Sequence, residues 1–229
     1  MPHDRRQERV EEVRIPVGLV FLEGTLTLPA NPKGVILFSH GSGSSRYSPR
    51  NNFVAEALRD AGLGTLLFDL LTEEEDLVYA NRFDIDLLTE RLITATRWLT
   101  GKSSIGEQPI GLFGASTGAA SALRAAAALG PIVKGVVSRG GRPDLVAATI
   151  LHRVEAPTLL IVGGEDLSII ELNRWAYQQI GGEKEMTIIP GATHLFEEPG
   201  ALEEVAQRAA RWFIDHFGVQ EKGRDVRVA

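Results

Sequence analysis

Ser116 stands in the stretch IGLFGASTGAAS, residues 110–121, where an apolar run ends in glycine and glycines flank the serine two positions away on each side. A serine hydroxyl attacks a carbonyl only if a base takes its proton and fixed donors receive the charge that forms on the attacked oxygen. The G-x-S-x-G pattern supplies the mechanical part of that chemistry, a strained strand-to-helix turn that exposes the hydroxyl. The same residue type also serves as a small polar cap on an Ala-rich helix. The pattern alone does not choose between these uses, so the rest of the chain must supply a base, an acid and oxyanion donors.

Of the five histidines, His3 lies near the N-terminus, His152 falls in a short segment between two strands, and His216 sits near the end of the last helix. His194, in PGATHLFEEPG after the final strand, is the candidate base, because loops at strand ends carry such groups. His40 precedes Ser116 and reads as a residue that orients its own loop. Between Ser116 and His194 the acidic residues are Asp144, Glu155, Glu165, Asp166, Glu171, Glu183 and Glu185. Only Asp144, Glu165 and Asp166 follow a strand end, where open parallel sheets build their sites. Glu165 and Asp166 share one turn and cannot both face the imidazole. Asp166 is taken as the acid and Glu165 as solvent-facing, although a helix N-cap role competes for the Asp166 carboxylate.

The loop HGSGSSRYSPRN, residues 40–51, and the residue after the serine are the natural sources of oxyanion donors. The backbone N–H groups of Ser42 and Thr117 are the candidates. Gly41, His40 and Arg46 border that loop and are candidate substrate contacts. Arg50, Arg139 and Arg142 also follow strands; such arginines either attract a carboxylated substrate or carry solubilising charge at the rim. The glycines do not form a phosphate loop, since the stretch matches neither G-x-x-x-x-G-K-[ST] nor G-x-G-x-x-G.

These residues need a scaffold, and hydrophobic periodicity describes one. Val13, Ile15 and Val17, then Thr25–Leu28, alternate like two antiparallel strands at a sheet edge. From residue 34 onward, strands and helices alternate. GVILFSH, GTLLFDL, QPIGLFG, IVKGVVS, PTLLIVGG and EMTIIPG read as strands. Helices are expected over 51–61 with Phe53, Val54, Ala57 and Leu58 inward, over 84–99 with Glu90 and Arg91 off the apolar stripe, and over 116–128, 167–180 and 201–217. Residues 72–83, TEEEDLVYANRF, read as a solvated loop. About eight strands, mainly parallel with helices on both faces, make an α/β fold in one domain at 11–217. A flexible N-terminus is expected at 1–10 and a frayed polar tail at 218–229.

The bulk composition narrows the classes. A 229-residue chain with 44% hydrophobic and 24% charged residues is ordinary for a soluble domain. A net charge of −6 argues against nucleic acid or anionic membranes as partners. No cysteine is present, so thiolate nucleophiles, disulfides and Cys-based metal sites are all excluded. No apolar h-region follows the N-terminal charges and no apolar run nears ~18 residues, so a cytoplasmic location is the default expectation. No metal or organic cofactor is expected. Composition says nothing about oligomeric state.

HGSGSSR, GASTG, GGED and GATH, in this order on a βα scaffold, resemble the α/β-hydrolase superfamily over about residues 11–217. RFDIDLLTERL and IIELNR make the chain most similar to the dienelactone hydrolase family of small, lidless enzymes. The resemblance implies Ser116 as nucleophile, Asp166 as orienting acid, His194 as base and the amides of Ser42 and Thr117 as oxyanion donors. Dienelactone hydrolases proper carry cysteine at the elbow, so Ser116 departs from their pattern and points to general ester hydrolysis. Some relatives are joined to phosphoribosyltransferase domains, and none is expected here. The segment RGGRPDLVAATILHRVEA, residues 139–156, is too short for the cap that lidded relatives insert. The expected substrate is a small or short-chain ester or a lactone. A thioesterase, acyltransferase or peptidase would use the same triad, and a ligand-binding scaffold would use none of it.

Overall fold

The computed structural model describes residues 8–218. His3, the start of the N-terminal segment and the tail from residue 219 lie outside the described residues. The first strand, β1 (Arg9–Val17), begins inside the segment expected to be flexible. It pairs antiparallel along its full length with β2 (Val20–Leu28), and Gly18 makes the turn with φ +58°.

Eight strands form one sheet in the order β1-β2-β4-β3-β5-β6-β7-β8. β3 (Val35–Ser39), β4 (Gly64–Phe68), β5 (Ile110–Ala115), β6 (Val133–Arg139), β7 (Thr158–Gly163) and β8 (Lys184–Ile189) follow in chain order. β2 meets β4 antiparallel, and every later pairing is parallel. Alternating side chains divide β3 between two cores. Ile36 and Phe38 face α1 (Pro49–Asp60) and α7 (Ala201–Phe217), together with Phe113, Val205 and Phe213. Leu37 faces the other layer with Leu112, Leu88 and Leu92 of α3 (Ile85–Thr100) and Leu123 of α4 (Thr117–Leu129). A strand buried on both faces must be apolar at every position, which is why β3, β4, β5 and β7 read as continuous apolar runs.

Three expectations change. In α1 the buried residues are Asn51, Val54, Ala55 and Leu58, whereas Phe53 is 39% exposed. Arg91, expected off the stripe, is buried and paired with Glu75 at 2.5 Å. That glutamate belongs to α2 (Glu73–Asp76), a helical turn within residues 72–83. Thr72 and Glu75 cap the turn reciprocally, Glu75 N–H on Thr72 Oγ1 and Thr72 N–H on Glu75 Oε2. A 3₁₀ turn follows at Tyr79–Phe83, so the segment is ordered surface structure and not a simple loop.

The β6–β7 connection holds a 3₁₀ turn at Pro143–Leu145 and the four-residue helix α5 (Ala148–Leu151). α6 (Leu167–Gln179) then joins β7 to β8. No helix among the described residues is long and apolar enough to cross a membrane.

Candidate active site

Ser116 joins β5 to α4 with φ +52° and ψ −122°. Among the described residues only Ser116 and Phe196 are non-glycine with positive φ. Such a conformation costs on the order of 1–3 kcal/mol and persists where the surroundings over-determine it. The surroundings here do so on three sides. Ser116 N–H donates to the Arg139 carbonyl at 3.1 Å, and the Ser116 carbonyl accepts from Ala119 and Arg142 N–H, each at 3.1 Å. A Cβ on Gly114 would lie 2.5 Å from Ala119 Cα, and one on Gly118 would overlap the Ser39 carbonyl. The two motif glycines therefore let helix start and strand end pack against the elbow. On the remaining side a Cβ on Gly41 would come 3.2 Å from Ser116 Cβ, so the residue 40–43 loop passes directly beside the serine.

The loops after β7 and β8 are joined by their backbones. Gly164 N–H reaches the Ile189 carbonyl at 2.8 Å, and Glu165 N–H reaches that of Ala192 at 2.9 Å. Gly163 permits the approach, since a Cβ there would stand 2.5 Å from the Thr193 carbonyl. This junction brings Asp166 to His194, with His194 Nδ1 and Asp166 Oδ2 2.6 Å apart. Asp166 is N-cap of α6 by position, yet its side chain makes no capping bond. The competition seen in the sequence is thus resolved toward the imidazole. The Asp166 side chain is 14% exposed and that of His194 38%. Nδ1–H donates to the carboxylate, so Nε2 carries the lone pair.

Gly140, at φ +53°, links the elbow to this pair. Its neighbour Arg139 receives the Ser116 N–H, and a Cβ on Gly140 would lie 3.5 Å from His194 Cε1. The other acid candidates fall away. Asp144 is held bidentately by Arg142 at 2.8 and 2.7 Å, which raises the Arg142 pKa, and Glu165 is exposed.

His40 is buried, donates from Nδ1 to the Gly41 carbonyl at 3.0 Å and accepts Leu70 N–H on Nε2 at 3.1 Å. Both ring nitrogens are committed. Burial lowers its pKa from the ordinary histidine value, outweighing the Gly41 carbonyl and Asp69. His40 thereby ties the 40–43 loop to the end of β4 as a neutral ring. Ser42 N–H, expected to face a substrate, donates instead to Thr117 Oγ1 at 2.9 Å. Arg46 is clamped by Asp69 through both its backbone N–H, at 2.8 Å, and its guanidinium, which also donates to Tyr47 Oη at 2.7 Å. Burial works against the Arg46 charge, and Asp69 more than offsets it, leaving its pKa raised. With Arg14, Phe21, His40 and Asp69 it lines a cavity of about 680 Å³ to which Ser116, Asp166 and His194 do not contribute.

Arg50 pairs with Glu197 at 2.8 Å. Arg139 is buried, with Nε and Nη1 unpartnered and its guanidinium 5.9 Å from the Phe196 ring. Desolvation, aided by Arg50, pushes its pKa down to about 10. His216 lies away from the site, bonded to the Trp212 carbonyl at 2.7 Å and Glu183 at 3.3 Å, and His152 follows α5 at its C-terminus. No group of three or more His, Cys, Asp or Glu among the described residues is placed to hold a metal ion. The link made by Gly140 and the bond made by the Thr117 hydroxyl lie outside what the motifs show; of the two, only the glycine pair after a strand leaves a trace in the sequence.

No protein-family model matches the chain. A curated Mycobacterium tuberculosis protein, provisionally named a phosphoribosyl transferase, is 57% identical over 209 residues, 91% of this chain and 47% of that protein. The chain thus spans about half the length of the curated relatives it matches. The crystal structure of a dienelactone hydrolase from Anabaena variabilis superposes with TM-score 0.88 at 53% identity, covering 92% of this chain and 99% of that one. Est1E from Butyrivibrio proteoclasticus matches with TM-score 0.77 at 15% identity over 90% of this chain and 98% of its own, a likeness of fold alone.

Proposed function

We propose, for a chain that belongs to the dienelactone hydrolase-like family of α/β-hydrolases, that it is a serine hydrolase cleaving small or short-chain carboxylic esters, lactones included. The observation that carries this reading is the Asp166 carboxylate, turned from its own helix N-terminus onto His194 Nδ1 at 2.6 Å, a pair that Gly140 links to a serine held on a strained elbow.

In this reading His194 Nε2 takes the Ser116 proton as the hydroxyl attacks the ester carbonyl. Asp166 fixes the tautomer and stabilises the imidazolium. The new C–O bond makes a tetrahedral oxyanion. Its collapse breaks the bond to the alcohol, which leaves with the proton from His194. Water then repeats the sequence on the acyl-enzyme and frees the acid and Ser116. The partly exposed imidazole and the short β6–β7 connection support an open site for small substrates. The transferase name attaches to proteins about twice as long, and nine-tenths of this chain also matches the Anabaena hydrolase. The reaction of the longer proteins is therefore a separate question from that of this unit.

Steady-state hydrolysis of p-nitrophenyl acetate and butyrate by wild type and Ser116→Ala tests the proposal. Turnover that vanishes in Ser116→Ala supports it, and equal rates overturn it. Parallel assays with thioester and peptide substrates separate the thioesterase and peptidase readings, and assays with an added alcohol acceptor separate the acyltransferase one.

A further inference from the structure

The Ser42 N–H already has an acceptor. Thr117 Oγ1 lies 2.9 Å from it, and because an N–H points at its acceptor, that oxygen stands where Ser42 would otherwise meet a developing oxyanion. Thr117 is the first residue of α4, directly after Ser116, and is 4% exposed. Gly118, which admits only a hydrogen beside the Ser39 carbonyl, brings the 40–43 loop close enough for this bond. A hydroxyl offers one proton and two lone pairs. Accepting from Ser42 occupies a lone pair, leaves the proton available and polarises the O–H, so that it donates more strongly. For Ser42 to bind the substrate oxygen directly, that oxygen would have to displace Oγ1 and leave a buried hydroxyl to find another partner.

We propose that the Thr117 hydroxyl is itself an oxyanion donor. Ser42 N–H polarises Oγ1, and the Thr117 O–H, together with its own backbone N–H, receives the negative oxygen of the tetrahedral intermediate. No proton is transferred in this step; the hydrogen bond shortens as charge develops on the substrate. The inference rests on the serine-hydrolase reading and replaces the expected direct contact from Ser42.

The test measures kcat and KM for p-nitrophenyl acetate in wild type, Ser116→Ala, Thr117→Ser, Thr117→Val and Thr117→Cys, with thermal melts of each. The valine and cysteine variants are expected to lose about 10²–10³-fold in kcat with KM little changed, and the serine variant to stay within about threefold of wild type. A valine variant at wild-type kcat overturns the proposal, because the freed Ser42 N–H then suffices. A serine variant as slow as valine also overturns it, since the methyl group would then be what matters. Where the valine variant does not fold, equal kcat in the serine and cysteine variants overturns it. Wild-type turnover in Ser116→Ala overturns the serine-hydrolase reading itself, whereas an inactive Ser116→Ala beside a fully active Thr117→Val overturns only the hydroxyl's role.

Discussion

Asp166 occupies the N-cap of α6 and gives its carboxylate to His194 Nδ1, 2.6 Å away, so that its side chain makes no bond to the helix it precedes. A cap side chain is ordinarily worth about 1 kcal/mol to its helix. Here that stabilisation is absent, and the carboxylate orients an imidazole instead.

Replacing Asp166 by Asn therefore separates activity from stability. The amide keeps the shape but favours the wrong tautomer, and kcat is expected to fall by about 10³–10⁴-fold. The melting temperature should stay within about 2 °C of wild type, because no cap bond is lost. Ester kinetics and a thermal melt on one preparation check both halves.

Ser116→Gly should trade in the opposite direction. Glycine adopts φ +52° without strain, so the variant loses turnover and gains about 1 kcal/mol in stability. For a domain of this size that gain raises the melting temperature by about 2–4 °C. Calorimetry that finds Ser116→Gly less stable than wild type would show that the elbow stores no strain.

Gly118→Ala should break the packing that the motif glycine permits. A Cβ there overlaps the Ser39 carbonyl, and that backbone has no freedom to yield within a central strand. A cost of about 3 kcal/mol, the upper end of ordinary overpacking, lowers the melting temperature by about 6–12 °C. A variant that melts with wild type would mean that β3 and α4 can separate at no cost.

Arg139 makes a pH-dependent prediction. Its folded pKa of about 10 lies well below the ordinary guanidinium value. Between those values the unfolded chain holds a proton that the native state has released, so the Arg139 contribution improves as pH rises through that window. Its contribution is poorest below pH 10, where the buried guanidinium is charged in the native state. Arg139→Met, which removes the unpaired charge, should raise stability at pH 7 by about 1–3 kcal/mol. Urea unfolding of both proteins at pH 7, 9 and 10.5 should find the gap narrowing at the highest pH. A methionine variant less stable than wild type at pH 7 would contradict this account.

The sequence carried the parts of the fold that follow from local pattern. α7 begins and ends where its amphipathic stripe does, and the strands of the parallel sheet are short apolar runs because both faces are covered. Ser116, Asp166 and His194 stand out in the sequence as candidates because each follows a strand in one chain order. What escaped depends on contacts between distant residues. The inward side of α1 is set by packing against α7, and helical spacing alone admits Phe53 as readily as Asn51. Arg91 is buried because Glu75, 16 positions earlier, turns inward from a capped helical turn. The acceptor of the Ser42 N–H sits 75 residues away. None of these pairings leaves a periodic trace.

The central claim is that Ser116 attacks substrate and carries the acyl group. Intact-mass and peptide mapping after reaction with an alkyl fluorophosphonate tests it most directly. One equivalent of adduct on the Ser116 peptide, absent from Ser116→Ala and slowed in His194→Ala, is the predicted result. A wild-type protein that turns over p-nitrophenyl esters while Ser116 remains unlabelled, or that carries the adduct on another residue, would contradict the account.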